Sequence, residues 1–198
     1  MDYNDVNLRL KRLYLSIDRQ YEIDVLQHMR TRTERKEGGK VTVTIDFKAK
    51  HDDNETINRI NSIIAGLANL KDHLIIKLKL QGGNPLDIEN EINQDLPLQL
   101  ILDLNNQEKH GYPLTKNRRS EKDPKIINIS KAISPKPGVK ATAFIRDPIT
   151  GAGATNNMTI AITAEVVDGQ GNLLYYLSDL INKSLKSWEA IIVKYNLN

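Results

Sequence analysis

The apolar repeat between residues 55 and 80 constrains the fold more than any other feature of the sequence. Apolar residues recur there at intervals of three and four, which is the spacing of one face of an α-helix. They include Ile57, Ile60, Ile64, Leu67, Leu74 and Leu78. Further apolar residues at Ile63, Ile75 and Ile76 widen this face, so we expect the helix to be buried on two sides. Such a helix needs other helices around it, and the sequence therefore predicts a helical bundle.

Four more segments have an apolar face or boundary residues typical of helices. They are residues 3–31, 86–94, 97–110 and 173–196. Pro97 suits the first turn of a helix, where its missing N–H costs nothing. The single tryptophan, Trp188, lies on the apolar face of the last segment, so we expect it in the core.

Strict alternation of apolar and polar residues predicts a half-buried strand over 40–48. Residues 139–147 and 157–168 are predicted to form an antiparallel pair around a glycine-rich turn. Residues 111–138 contain four prolines and no clear period, which indicates a long irregular excursion. The predicted class is α+β: one domain with a bundle of four to five helices and a small antiparallel β-sheet. Its expected parts are 1–50 (helix and strand), 55–110 (bundle core), 111–138 (basic loop), 139–168 (hairpin) and 173–196 (last helix).

Composition excludes several classes of site. The 198 residues include no cysteine, which rules out disulfides, thiolate zinc sites, Fe–S clusters and thiol catalysis. No apolar run approaches the roughly 20 residues of a membrane span, so no membrane partner is expected. The polar first residues are unlike a signal peptide, and a cytoplasmic location is the default expectation. No metal or other cofactor is expected.

Four polar residues at the end of the apolar helix 97–110 form the best candidate site. Asp103, Asn106 and His110 are separated by three and four residues and fall on one helix face, with Lys109 beside them. A cation near a helix C-terminus interacts favourably with the last carbonyl groups, so His110 suits this position. We expect Asp103 or Asn106 to orient the imidazole, which is what a general acid/base histidine needs.

A basic segment follows this helix. Residues 109–140 carry nine lysines and arginines against two acidic residues, whereas the whole chain has a net charge of only +3. Such a segment is expected to follow the backbone of a nucleic acid. The candidate contacts are Lys116, Arg118, Arg119 and Lys122 for phosphate and Tyr112 for base stacking. The alternative is an ordinary solvated surface loop.

The run Asp103, Asn106, Lys109 and His110 resembles the D-x-x-N-x-x-K-H signature of uncharacterised bacterial proteins related to the HEPN superfamily. The resemblance extends over residues 55–198. It implies a helical bundle that forms a homodimer and acts on or binds RNA. Many HEPN-like proteins are metal-independent ribonucleases of toxin–antitoxin, CRISPR or anti-phage defence systems.

The usual HEPN catalytic motif is an arginine followed, after four to six residues, by a histidine. This chain has Asp103, Leu104 and Asn105 where that arginine would stand. If the chain is a ribonuclease, Lys109, Arg118 and Arg119 would have to replace it.

The alternative function is a non-catalytic helical module that dimerises or docks on a protein partner. In that case Asp103, Asn106 and His110 are a hydrogen-bonded cap that ties a loop to the bundle. The exposure of His110 distinguishes the two, because a catalytic histidine must be reachable from solvent.

Overall fold

The computed structural model describes residues 5–19, 30–35, 41–46, 53–111, 119–135 and 158–197. Within these ranges the chain forms five helices and five strands. In chain order they are α1 Val6–Arg19, β1 Arg30–Arg35, β2 Val41–Asp46, α2 Asp53–Leu80, α3 Pro85–Gln94, α4 Leu96–His110, β3 Lys125–Pro135, β4 Met158–Val167, β5 Leu173–Tyr176 and α5 Leu177–Lys194. The predicted α+β class, a helical bundle with a small antiparallel sheet, is confirmed.

Helix α2 is the centre of the bundle and contacts each of the other four described helices. Most of its apolar stripe is buried, with Leu67 and Leu74 at 0% exposure, whereas Ile57 and Ile76 are exposed. Helix α4 packs against α2, α3 and α5. It is therefore apolar on most sides, and Leu98, Leu100 and Ile101 are fully buried. Trp188 of α5 is also fully buried, which confirms its predicted place in the core.

Two polar contacts fix how the helices run past one another. The Asp95 side chain caps α4 by accepting the Leu98 N–H at 2.9 Å, and it also accepts the Ser187 hydroxyl of α5 at 2.5 Å. At the end of α2, Gln81 donates to the Asn196 carbonyl just beyond α5 at 3.1 Å. The start of α4 therefore lies beside the middle of α5, and the C-terminal ends of α2 and α5 lie together. The other end of α4, at His110, lies about 22 Å further along its axis.

The main sheet is antiparallel, with the order β3-β4-β5. Its register pairs Lys125 with Val167 and Pro135 with Met158, with a shift between Ile127 and Ser130. Two residues of β4, Ala164 and Val166, are buried in the core, and β4 contacts α5. Strands β1 and β2 form a separate antiparallel pair.

Several boundaries predicted from the sequence are confirmed, and others are wrong. The strand over 40–48 and the helices over 55–80, 86–94 and 97–110 correspond to β2, α2, α3 and α4. The helix predicted over 3–31 is described only to Arg19, and its last two residues, Arg30 and Thr31, belong to β1 instead. There the backbone pairs with β2, and strand pairing overrides the local helical pattern.

The region 111–138 was expected to be irregular, but its second half contains β3. The alternation of apolar and polar residues in β3 is interrupted by the register shift near Asn128. The backbone of Asn128 has a positive φ of 52°. A bulge of this kind moves the following side chains to the opposite face, so a period of two is broken in the sequence. Strand β4 pairs with β3, whereas its predicted partner, 139–147, lies outside the described residues.

The last helix was predicted to begin at 173 but begins at Leu177. The four residues before it form β5, where Tyr176 pairs with Glu165 of β4. None of the helices in the described ranges combines the length and apolar character needed to cross a bilayer.

Candidate functional site: the end of α4 and the turn at 119–123

Helix α4 carries the four candidate residues, and two of them, Lys109 and His110, lie in its last turn. The helix ends at His110, and Gly111 follows with a positive φ of 80°. Its N–H donates to the Gln107 carbonyl at 2.8 Å. Glycine adopts this φ without steric cost, so the chain can leave the helix directly after His110.

Asp103 is fully buried in the middle of this helix. One carboxylate oxygen accepts the Arg119 backbone N–H at 3.0 Å. The other accepts both the backbone N–H and the hydroxyl of Ser120, at 2.9 and 2.6 Å. A buried carboxylate is costly unless it is hydrogen-bonded, and these three donors compensate for its burial. Asp103 therefore fastens the turn at 119–123 to α4.

Further contacts hold this turn in place. The Ser120 hydroxyl accepts the Lys122 N–H at 3.3 Å, and the Lys122 carbonyl accepts the Gly169 N–H at 2.8 Å. Glu121 and Asp123 have positive φ angles of 55° and 53°. Non-glycine residues adopt this region only when the surroundings impose it. The turn is thus fixed between α4 and the connection from β4 to β5.

The Arg119 side chain extends this anchorage to α3 and α2. Its guanidinium donates to Glu89 of α3 at 2.6 Å, and the Lys71 ammonium of α2 lies 3.4 Å from the other Glu89 oxygen. Partial burial opposes ionisation of Glu89, but the Arg119 hydrogen bond and the charges of Arg119 and Lys71 outweigh it and lower the Glu89 pKa. The Arg119 charge is therefore matched by a carboxylate.

The expected orientation of His110 by Asp103 is absent from the described structure. His110 and Lys109 are exposed, Asn106 is half-buried, and no described hydrogen bond joins His110 to Asp103 or Asn106. The reason is the helix geometry. Asp103 and His110 share a face but are seven residues apart, which corresponds to a rise of about 10 Å. The carboxylate of Asp103 serves the turn instead.

The other predicted contacts are divided between described and undescribed residues. Lys122 is exposed in the turn, and Arg119 is paired with Glu89. The remaining three, Tyr112, Lys116 and Arg118, lie outside the described residues. Around His110 and Lys122 the described surface also has the exposed acids Glu108 and Glu121. On the described surface, basic side chains are therefore accompanied by carboxylates.

Three residues of this anchorage, Ser120, Glu89 and Lys71, are not among the sites predicted from the sequence. No local pattern marks them, since each acts through a partner on a different element. In the part of the chain that the structure describes, no three acidic or histidine side chains are grouped so that they could hold a metal ion.

A comparison of this chain with protein-family models, curated proteins and solved structures finds no match. The HEPN resemblance thus depends on the residues of the motif alone and stays a prediction.

Proposed function

We propose that this chain is a non-catalytic helical interaction module. The observation that carries the proposal is the use of Asp103. Both of its carboxylate oxygens are occupied by Arg119 and Ser120, so the first residue of the motif holds the fold together. A general acid/base histidine needs an orienting group. Asp103 is not available for that role, and no described hydrogen bond joins the other candidate, Asn106, to His110.

The proposed partner is a second copy of the chain. Leu80 and Val193 are 78% and 72% exposed. Leu80 is next to Gln81 in sequence, and Val193 is close to Asn196. Because Gln81 and Asn196 are joined by a hydrogen bond, Leu80 and Val193 lie at the same end of the bundle. Exposed apolar side chains at one end of the bundle are available for contact with another protein surface. The homodimer that the HEPN resemblance implies agrees with this choice.

Sedimentation velocity over a range of concentrations tests the partner. We expect wild type to dimerise and Leu80→Glu to shift the equilibrium towards monomer. Lys79→Glu is the matched control, since it introduces a carboxylate at the neighbouring exposed position of the same helix. A wild-type chain that stays monomeric at every concentration would contradict self-association, as would equal effects of the two substitutions.

One observation favours a second candidate, an RNA-directed ribonuclease. His110 is exposed beside Lys109, so a substrate phosphate or ribose hydroxyl could reach the imidazole. This candidate requires cleavage of RNA in the presence of EDTA that disappears in a folded His110→Ala variant. The non-catalytic proposal requires that wild type does not cleave.

A further inference from the structure

A cleft of about 360 Å³ lies between α3 and α5, on a surface that the preceding arguments do not use. Two side-chain contacts give the relative direction of these helices. Asp95, directly after α3, accepts the Ser187 hydroxyl of α5. Glu91, one turn earlier in α3, accepts the Lys194 ammonium at 2.5 Å. The two helices are therefore antiparallel, with Glu91 level with Lys194 and Asp95 level with Ser187.

The two walls of this cleft carry opposite charges. The α3 wall has the carboxylates of Glu91 and Asp95, and the α5 wall has the ammonium groups of Lys186 and Lys194. The backbones of the two lysines are about 12 Å apart along the helix axis. Midway between them Ala190 is exposed, and its small side chain leaves the middle of the cleft open.

Each wall still has a charged atom to offer a partner. Glu91 Oε1 accepts from Lys194 and from the Tyr195 hydroxyl, and these two hydrogen bonds lower the Glu91 pKa, so the side chain is ionised. The second oxygen, Oε2, accepts no hydrogen bond from the described residues. Lys186 is exposed and has no ion pair within the described ranges. A partner can therefore use Glu91 Oε2 and Lys186 without breaking the contact between Glu91 and Lys194.

The arrangement of these charges selects a second copy of the chain as the occupant. A two-fold axis parallel to the cleft places the α3 wall of each copy against the α5 wall of the other and keeps the levels, so Glu91 of one copy faces Lys194 of the other. An axis across the cleft would place acids against acids. A nucleic acid, which is uniformly negative, would be repelled by the α3 wall.

We propose that a second copy of this chain docks on the cleft between α3 and α5, with a two-fold axis parallel to the cleft and close to Ala190. This inference rests on the homodimer proposed above and names the surface through which it forms. Lys186, Ala190 and Val193 follow one another at intervals of four and three, so they share the exposed side of α5. The exposed Val193 side chain therefore adds an apolar contact beside the charged walls.

Cross-linking of Ala190→Cys tests the position of the axis. The chain has no cysteine, so a cross-link through a single introduced thiol joins two copies. Near a two-fold axis residue 190 lies close to its own copy, and a short bismaleimide should join the two thiols. Ser178→Cys is the matched control, because Ser178 is also exposed on α5 but lies about 18 Å further along the helix and on another side of it. Ala190→Cys should form the cross-linked dimer and Ser178→Cys should not.

Sedimentation velocity of wild type at the same concentrations separates two kinds of failure. If wild type dimerises but Ala190→Cys forms no more cross-linked dimer than Ser178→Cys, this surface is wrong and the homodimer stands. If wild type stays monomeric at every concentration, the surface and the homodimer are both wrong.

Charge reversal tests the pairing of the walls. Lys186→Glu should raise the dissociation constant of the dimer roughly ten-fold, because the interface is formed twice and each copy then sets a carboxylate against carboxylates. Lys109→Glu is the matched control, since it changes the net charge equally at an exposed position at the end of α4. Equal effects of the two substitutions would contradict the proposed surface.

A mixture of two variants tests the same pairing between copies. Gln94→Lys places an ammonium group on the α3 wall, opposite Lys186 of the other copy, and should also weaken self-association. Mixed with Lys186→Glu, it should dimerise more tightly than either variant alone, because the new carboxylate of one copy faces the new ammonium group of the other. No gain on mixing would overturn the proposal.

Discussion

Asp103 and Ser120 are joined by two hydrogen bonds across 17 residues of sequence, with the Ser120 N–H and hydroxyl both donating to one carboxylate oxygen. Since Asp103 is on α4 and Ser120 is in the turn that leads to β3, this pair links the helical bundle to the sheet. The motif that looked like a source of acid/base chemistry therefore contributes to the fold.

The first prediction concerns this pair. Asp103→Asn should lower the free energy of unfolding by about 2–3 kcal/mol, because the amide nitrogen cannot accept the hydrogen bonds that a buried carboxylate accepts. Ser120→Ala should cost about 1–2 kcal/mol, and the double variant should show a coupling of about 1 kcal/mol. Urea unfolding measures all three. Ser178→Ala, at an exposed position of α5, is the control and should change stability little. Additive losses would contradict the link.

The second prediction concerns His110. If His110 were part of a buried structural cap, His110→Ala would destabilise the chain. The exposed position of His110 instead predicts a change within about 0.5 kcal/mol. Urea unfolding of this variant beside Asp103→Asn measures the difference. A large decrease in the free energy of unfolding of His110→Ala would show that His110 makes a stabilising contact that the described structure lacks.

The third prediction is a pH dependence at Glu89. Arg119 and Lys71 lower its pKa below the ordinary value of 4.5 although burial opposes them. A carboxylate with a lowered folded-state pKa stabilises the fold above its unfolded-state pKa, and this contribution disappears as the pH falls through the folded-state value. As the pH is lowered below about 4.5, the urea midpoint of unfolding should therefore fall less steeply in Glu89→Gln than in wild type. Parallel curves for the two proteins would contradict the assignment.

A fourth prediction tests the attachment of α1 to α5. The Tyr14 hydroxyl donates to Glu189 at 2.5 Å. This hydrogen bond, together with partial burial and the Glu189 charge, raises the Tyr14 pKa to about 12. In an ultraviolet titration, Tyr14 should ionise well above the ordinary value of 10.0, and Glu189→Gln should move its ionisation back towards that value. The pKa of Tyr195 is also raised, so the Tyr14 contribution is identified as the part of the late ionisation that is lost in Tyr14→Phe.

The sequence predicts those helices and strands whose apolar residues recur with the period of the element itself. The apolar faces of α2 and α4 and the alternation in β2 are local patterns, and these elements have nearly the predicted bounds. Strands β3 and β5 depend on pairing with β4, so their own residues give little indication of them. A bulge near Asn128 further obscures β3.

The candidate site was predicted only in part, for a geometric reason. Helical spacing correctly assigns residues to a face, but it does not by itself give the distance along the axis. Asp103 and His110 share a face and are still about 10 Å apart. The true partner of Asp103, Ser120, is on a different segment, and no short-range pattern identifies it.

One paired assay distinguishes a structural from a catalytic role for the α4 motif of Asp103, Asn106, Lys109 and His110. Wild type, His110→Ala and Asp103→Asn are incubated with RNA in EDTA, after circular dichroism has established that each is folded. If the motif is structural, none of the three proteins cleaves RNA above the buffer control, and only Asp103→Asn has a lowered melting temperature. Cleavage by wild type that is lost in folded His110→Ala would show instead that His110 is a catalytic residue.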